Sequence, residues 1–318
     1  MATSIVVLGT GGTIAGTSGQ AGANVGYTAA QLSVEQLLAA VPPLAAAARG
    51  SLVAEQVAQV DSKDMTHALW QRLVARCLAH LAKEDVAGLV ITHGTDTLEE
   101  TAWLLANVLP AAGKPVVLTC AMRPATALAP DGPQNLLDAV TVAVHPEARG
   151  VLVVAAGTIH GPREVVKVHP LRLDAFASGD GGPLGWVEGG QVRWAQARAP
   201  QPPLAPHAAL APRLGALPWP RVAIVLSHAG ADGLLVDALV AGGVAGIVAG
   251  ATGNGTLHES LEAALARAQG AGVAVRVASR CPEGRMLAPA QAQWVYLEGL
   301  SPVKARISLM LELMAQGA

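Results

Sequence analysis

Aromatic residues and long apolar runs are scarce in this 318-residue chain, and each shortage excludes a class of function. Tyr27, Tyr296 and Phe176 are the only tyrosines and phenylalanine, so few side chains could stack on bases. The formal net charge is −2, and the scattered lysines and arginines form no basic cluster that would bind nucleic acid. No run of about eighteen residues is free of glycine, proline and charge, so we expect no membrane-spanning segment.

Cysteine is also rare. Cys77, Cys120 and Cys281 are widely spaced, form no C-x-x-C pair and have no histidine at metal-ligand spacing. This pattern argues against a disulfide framework or a zinc site and predicts buried free thiols. The first apolar segment begins so close to Met1 that no signal peptide fits before it, which favours a cytoplasmic protein. A secreted protein expressed without its signal would look the same.

Residues 5–16, IVVLGTGGTIAG, are an unbroken apolar segment followed by a glycine-rich loop. The apolar part predicts a strand that is covered on both faces, as in a parallel sheet. The glycines remove Cβ atoms where the chain turns or a ligand approaches, and they leave Thr13 at the carboxyl end of the sheet. A dinucleotide loop would need glycine in place of Ile14, and a phosphate loop would need a lysine. A connecting turn without function stays open from this stretch alone.

The same arrangement recurs in the segment GLVITHGTDTLEETAWLL. Thr97 and Glu100 have the spacing of a capping box, so a helix is predicted to begin near Thr97, with Thr95 and Asp96 at the end of the preceding strand. If the two strands are neighbours in one parallel sheet, Thr13 and Thr95 lie on the same edge of it. Two hydroxyls and a carboxylate would then surround one pocket.

Strand-like and helical segments alternate along the chain, which is typical of a right-handed, mostly parallel sheet. We predict an α/β protein with a larger, doubly wound N-terminal domain at residues 1–199 and a smaller C-terminal α/β domain at residues 221–318. Residues 200–220 contain too many prolines for a helix or a central strand and are interpreted as an extended interdomain linker.

A threonine nucleophile needs a neighbouring group that takes its proton, and the attacked carbonyl needs donors for its oxyanion. Lysine can take the proton, and Lys167 follows two valines in an apolar segment, where a structural role is as well supported as a catalytic one. Lys304 is predicted to be solvated. His93 is interpreted as a packed loop residue rather than a base, and Asp131 and Asn135 as residues that order a loop.

The two loops resemble the signatures of the bacterial-type L-asparaginase and glutaminase-asparaginase family, TGGTIAG and ITHGTDTLEETA, in this order. The resemblance continues through DSKDM at residues 61–65, AMRPATALAPDGPQNLLDAV at 121–140 and GNGTL at 253–257. It implies hydrolysis of L-asparagine to L-aspartate and ammonia through a threonine acyl-enzyme, with side activity on L-glutamine. Neither a metal nor an organic cofactor is implied. A glutaminase-asparaginase of broad specificity is the alternative.

The resemblance also assigns roles to single residues. Thr13 matches the nucleophile, Tyr27 the tyrosine that helps to activate it, and Thr95, Asp96 and Lys167 a Thr-Lys-Asp set. The other matches are substrate contacts: Asp61, Ser62 at the α-carboxylate, Asp96 at the α-ammonium group, Thr95, Ala121 with its backbone carbonyl at the side-chain amide, and Thr256.

Some positions depart from the family pattern. Secreted relatives carry an interfacial glutamate further along the chain after an SR dipeptide; after Ser279 and Arg280, Glu283 comes too early for it and Gln291 is uncharged. Thr256 replaces an asparagine, and Ala29 a bulkier aliphatic residue, of relatives that prefer asparagine strongly. We therefore expect asparagine to be preferred and glutamine to be hydrolysed measurably. Because family members build each site between two subunits, a homotetramer with sites at the dimer interface is expected.

Hypotheses from other classes make distinct demands. A nicotinamide-dependent oxidoreductase would share the first loop but needs its third glycine. A non-catalytic amino-acid-binding protein would not need both threonines, Lys167 and Tyr27 together. The amidase subunit of a tRNA-dependent amidotransferase carries a similar domain behind an amino-terminal extension, which is not expected here because the first strand begins at once.

Overall fold

The computed structural model describes residues 3–20, 22, 24–110, 113–195 and 206–317. The chain divides into two compact units, Met1–Gly215 and Ala216–Ala318. Within the described part of the chain, no helix is both long enough and apolar enough to cross a membrane.

The first unit is built on strands and helices that alternate along the chain. Its strands are β1 Ser4–Gly11, β2 Ser51–Val60, β3 Val86–Thr92, β4 Val116–Thr119, β5 Val151–Ala155, β6 Thr158–His160, β7 Val166–Lys167, β8 Phe176–Ala177, β9 Gly185–Glu188 and β10 Gln191–Trp194. Its α-helices are α1 Val34–Ala39, α2 Leu44–Ala47, α3 His67–Leu81, α4 Leu98–Val108 and α5 Gly132–Ala143.

Eight of these strands form one sheet in the order β10-β9-β6-β5-β4-β3-β1-β2. The strands from β5 to β2 are parallel, whereas β6, β9 and β10 extend the sheet antiparallel. Strands β7 and β8 pair separately. The predicted α/β class with a mostly parallel sheet is confirmed.

Strand β1 occupies the point where the sheet changes its direction of growth. All eight of its residues are buried, as its unbroken apolar run predicts. It pairs with β2 on one side and β3 on the other, with Gly9 opposite Thr92 of β3. Connections leave such a point in opposite directions, so the carboxyl ends of β1 and β3 border the crevice where open α/β sheets bind ligands.

The second unit is a smaller parallel sheet with helices. Its strands lie in the order β11 Val222–Leu226, β12 Gly246–Ala251, β13 Ala274–Ser279 and β14 Val295–Tyr296. Its helices are α6 Leu234–Ala241, α7 Glu259–Gly270 and α8 Pro302–Gln316. Ile247 and Val277 of the strands pack with Leu261 and Leu265 of α7 in its core.

Four details differ from the sequence predictions. Within the predicted extended linker, Ala208–Arg213 is a 3-10 helix that packs on α3 and α4, because Leu210 and Leu214 bury their side chains there. Lys304 is fully buried instead of solvated, since α8 lies over the strands of the second unit. Cys281 is exposed rather than buried because it follows the end of β13.

The fourth difference concerns the start of α4. The helix begins after Thr97, as predicted, but the Thr97 side chain accepts no capping hydrogen bond. Its hydroxyl donates instead to the Ser62 carbonyl at 2.8 Å. The predicted capping box is therefore wrong. Thr97 instead links the loop after β3 to the loop after β2.

Candidate active site

Glycines bring three loops together at the carboxyl ends of β1 and β3. Gly12 has a φ of 83°, and a Cβ on it would overlap the backbone of Gly94 in the loop after β3. A Cβ on Gly94 would in turn lie 2.5 Å from the Ser62 hydroxyl oxygen. Backbone thus meets backbone with no side chain between, and the polar residues that follow each glycine share one edge of the sheet.

Thr13 lies at the start of a short 3-10 helix and is 7% exposed. Its Oγ1 is 2.7 Å from the Tyr27 hydroxyl oxygen. Two backbone hydrogen bonds between Thr17 and Thr28 hold the segment that carries this tyrosine. Gly16 leaves room for the ring, because a Cβ there would be 3.0 Å from it. A buried hydroxyl is thereby placed against a group that can exchange a proton with it.

Thr95, Asp96 and Lys167 form a second cluster. The Lys167 ammonium donates to Thr95 Oγ1 at 2.8 Å and to Asp96 Oδ1 at 2.6 Å. Lys167 comes from β7, where it pairs with Phe176 of β8. Its side chain is 19% exposed and that of Asp96 is 51% exposed, so one end of the ion pair faces solvent. The pairing fixes the lysine beside the buried Thr95 hydroxyl.

Ser62 is buried next to this cluster. Its Oγ accepts the Asp96 backbone N–H at 3.1 Å, and its carbonyl accepts the Thr97 hydroxyl. The hydroxyl proton of Ser62 is therefore not used by that hydrogen bond and can be donated to a carboxylate. Asp61 precedes it, and its Oδ1 accepts the Lys63 N–H at 3.4 Å.

Ala121 follows β4 and is fully buried. The Asp131 carboxylate accepts the backbone N–H groups of the next two residues, Met122 and Arg123, both at 2.9 Å. Asn135 donates to the same carboxylate at 3.1 Å. The prediction that Asp131 and Asn135 order this loop is confirmed.

His93 lies beside the site but is fully buried, and burial lowers its pKa to about 4. Its Nδ1 lies 2.8 Å from the Gly94 carbonyl and can only donate to it, so Nε2 accepts the Thr101 hydroxyl. The Trp70 indole N–H donates to that hydroxyl. The interpretation of His93 as a packed, hydrogen-bonded loop residue is thus confirmed. Sequence reasoning did not identify Thr101 and Trp70 as its hydrogen-bonding supports, since they come from separate helices.

Thr256 belongs to the second unit. Its hydroxyl oxygen is 2.8 Å from that of Thr252 and it also donates to the Thr252 carbonyl at 3.1 Å. Thr256 is therefore not among the candidate site residues that lie together within the first unit. In the described residues there is also no cluster of three histidine, cysteine or acidic side chains that could hold a metal.

Several known proteins are similar to this chain in sequence or structure. L-asparaginase 2 of Escherichia coli is 38% identical, over 97% of this chain and 88% of its own. Glutaminase-asparaginase of Pseudomonas fluorescens is 35% identical, over 97% and 86%. A crystal structure described as a probable cytoplasmic L-asparaginase of Campylobacter jejuni has a TM-score of 0.89 and 37% identity, over 98% of this chain and 95% of its own.

Two family patterns match the chain, one within each of its two compact units. The pattern described as asparaginase, N-terminal, matches residues 4–200, and that of the glutaminase/asparaginase C-terminal domain matches residues 221–317. Together they account for nearly all of the sequence. The chain therefore belongs to the asparaginase family.

Proposed function

We propose that the protein is an L-asparaginase that hydrolyses the side-chain amide of L-asparagine, with Thr13 as its nucleophile. The observation that carries the proposal is the 2.7 Å contact between Thr13 Oγ1 and Tyr27 Oη, beside a separate Thr95–Lys167–Asp96 set. Two activated hydroxyls on one sheet edge suit a reaction with an acylation and a deacylation step. Membership of the asparaginase family supports the assignment.

In the proposed acylation, Thr13 Oγ1 attacks the amide carbon and passes its proton toward Tyr27. Tyr27 in turn passes its own hydroxyl proton to the nitrogen, the C–N bond breaks, and ammonia departs, so that an aspartyl ester remains on Thr13. In deacylation, water attacks that ester and L-aspartate departs, which restores the Thr13 hydroxyl. Thr95, with Lys167 hydrogen-bonded to its hydroxyl, is assigned to proton transfer in the deacylation half.

The proposed substrate contacts follow from charge and hydrogen-bonding capacity. The Asp96 carboxylate, half exposed at the site, suits the α-ammonium group. The Ser62 hydroxyl suits the α-carboxylate because its Oγ already accepts one hydrogen bond and its proton can be donated outward. The Ala121 carbonyl is assigned to the side-chain amide, and Asp61 to the same subsite as Ser62.

Asparagine-dependent release of ammonia by the purified protein tests this function. A non-catalytic amino-acid-binding protein would bind asparagine, measured by calorimetry, without releasing ammonia. That result would contradict the proposal. Equal activity in Thr13→Ala would instead leave the function standing and remove the assigned nucleophile.

We also propose that asparagine is preferred and that glutamine is hydrolysed more slowly. The two substrates differ by one methylene, which is worth only about 1 to 3 kcal/mol in a fitted pocket. Ala29 is smaller than the aliphatic residue expected there in strict asparaginases, and Thr256 lacks the directional amide of the asparagine expected at its position. The test is kcat/KM for both amides in the native protein and in Thr256→Asn. No glutamine hydrolysis in the native protein, or an unchanged ratio in the variant, would contradict the role of these positions.

The proposed assembly is a homotetramer in which a partner subunit supplies Thr256 to each site. Light scattering of the purified protein tests it, and a fully active monomer would refute it.

The proposed location is the cytoplasm, in keeping with the Campylobacter jejuni structure named above. Fractionation of cells that express the native gene tests this, and recovery of the protein from the periplasm or medium would refute it.

A further inference from the structure

The Asp131 side chain does not do what its position suggests. It stands at the N-cap of α5, where an aspartate ordinarily accepts an N–H of its own helix, yet it makes no such bond. Both carboxylate oxygens instead accept the Met122 and Arg123 N–H groups, each at 2.9 Å. The charge is therefore directed at the loop after β4 rather than at the helix.

The Met122 N–H belongs to the same peptide unit as the Ala121 carbonyl. A peptide unit is planar and its N–H and C=O point in opposite directions, so a hydrogen bond to the N–H also sets where the carbonyl points. A charged acceptor on the N–H side also polarises the unit and makes the carbonyl oxygen a stronger acceptor. Asp131 thus acts on the Ala121 carbonyl through a single rigid group.

Asn135, one turn further along α5, secures this arrangement. Its Nδ2 donates to Asp131 Oδ2 at 3.1 Å and to the Cys120 carbonyl at 3.0 Å, while its Oδ1 accepts the Ala156 N–H at 3.0 Å. Asn135 is 3% exposed, and its bond to the Cys120 carbonyl is buried. The amide ties the carboxylate, the end of β4 and the turn after β5 into one network.

We propose that Asp131 and Asn135 are positioning residues for hydrolysis, which aim and polarise the Ala121 carbonyl so that it accepts the N–H of the scissile amide. This inference rests on the proposed asparaginase function and adds to it residues that do not touch the substrate. The contribution is specific for amides, because an ester of the same acid has no N–H to donate.

The experiment compares L-asparagine with the β-methyl ester of L-aspartate in the native protein and in Asp131→Asn. The variant keeps the side-chain shape but loses the charge and one acceptor. We expect kcat/KM for the amide to fall about threefold to tenfold further than kcat/KM for the ester, the range of one hydrogen bond. Using kcat/KM confines the comparison to acylation, where the two substrates differ.

The control is Asp138→Asn on the same helix, which removes a buried carboxylate that is bonded to Gln134 instead of to the loop. It is expected to leave the amide-to-ester ratio unchanged. Asp131→Ser, whose side chain suits an N-cap, serves as a second variant if the melting temperature shows that Asp131→Asn does not fold.

An equal fall for both substrates in the Asp131 variants would mean that Asp131 only holds the loop in place, and would overturn the inference. A native protein that hydrolyses neither substrate would overturn the proposed function itself. The two failures are therefore distinguishable.

Discussion

The two threonine-bearing loops touch through their glycines but are held in different ways. The Thr13 hydroxyl meets a phenol that arrives on a surface segment, whose residues 24–26 are exposed. The Thr95 hydroxyl meets an ammonium that is itself paired with Asp96. A neutral contact therefore supports the first threonine, and an ion pair supports the second.

Because their partners differ, the two hydroxyls can serve different steps of the reaction. The exposed residues 24–26 next to Tyr27 can move at lower cost than buried ones, which suits a substrate entrance over Thr13. The ion pair instead joins β7 to the loop after β3.

The largest effect is expected from Thr13→Ala. Removing the nucleophile leaves no group to form the acyl-enzyme, so kcat should fall by roughly a thousandfold or more without loss of folding. Ammonia release and the circular dichroism spectrum measure the two quantities. Thr17→Ala is the control, since only its backbone contacts Thr28, and it should keep activity within a few-fold. Full activity of Thr13→Ala would show that another residue is the nucleophile.

Substitution of Thr95 in the second loop should have a different kinetic effect from substitution of Thr13. In Thr95→Val, acylation by Thr13 can still proceed while deacylation slows, so an aspartyl adduct of the protein should accumulate and be visible by mass spectrometry. Overall kcat should fall by roughly a hundredfold, the size of one general acid–base contribution. An inactive variant with no adduct would place Thr95 in the acylation step.

Lys167→Met sharpens the same test. If Lys167 acts through Thr95, the double variant with Thr95→Val should lose no more activity than the worse single variant, because residues of one unit are not additive. The unfolding free energy of the single variant Lys167→Met should differ from that of the native protein by less than about 1 kcal/mol, since the paired Asp96 is half exposed. Urea unfolding measures that change. Additive losses of activity would mean that Lys167 and Thr95 act independently.

Sequence patterns predicted both loops because each signal there is local. Unbroken apolar runs gave β1 and β3, glycines gave the turns, and the order of the motifs placed Thr13 and Thr95 on one edge.

The failures share a different cause. Thr97 bonds Ser62, which is 35 residues away, and Lys304 is buried by strands distant in sequence, so no local window contains either partner. The strands from β6 to β10 are too short for an alternating pattern to identify them, and they were not predicted. Tertiary contacts decide such positions.

Gly12→Ala tests the contact between the two loops. A Cβ at this position meets the Gly94 backbone and forces a φ of 83° on alanine, so we expect a loss of about 2 kcal/mol or more in unfolding free energy. Activity should fall as well, because both threonines shift. Gly19→Ala is the matched control, since nothing lies within 4 Å of its Cβ. Equal stability of the two variants would mean that the loops can separate without cost.

The smallest effect is expected from a change in β2, the edge strand that pairs with β1 and so supports the first loop. Glu55 of β2 lies opposite Leu8 of β1 and binds Arg76 and His80 of α3. The hydrogen bond from Arg76 is the main cause that lowers the Glu55 pKa from 4.5 to about 2. Because the folded state holds the carboxylate more strongly than the unfolded state does, this stabilisation is complete above pH 4.5 and is lost as the pH falls toward 2.

Glu55→Gln should therefore lower the unfolding free energy by about 1 to 2 kcal/mol at pH 6, the scale of a charged hydrogen bond. The difference from the native protein should shrink steadily between pH 4.5 and 2, because protonation removes the same charge from the native side chain. Urea unfolding at several pH values measures it. Because β2 supports β1 from the side away from β3, the variant should leave kcat at pH 6 nearly unchanged. A difference in stability that is constant from pH 6 to 3 would show that the charge of Glu55 contributes nothing to the fold.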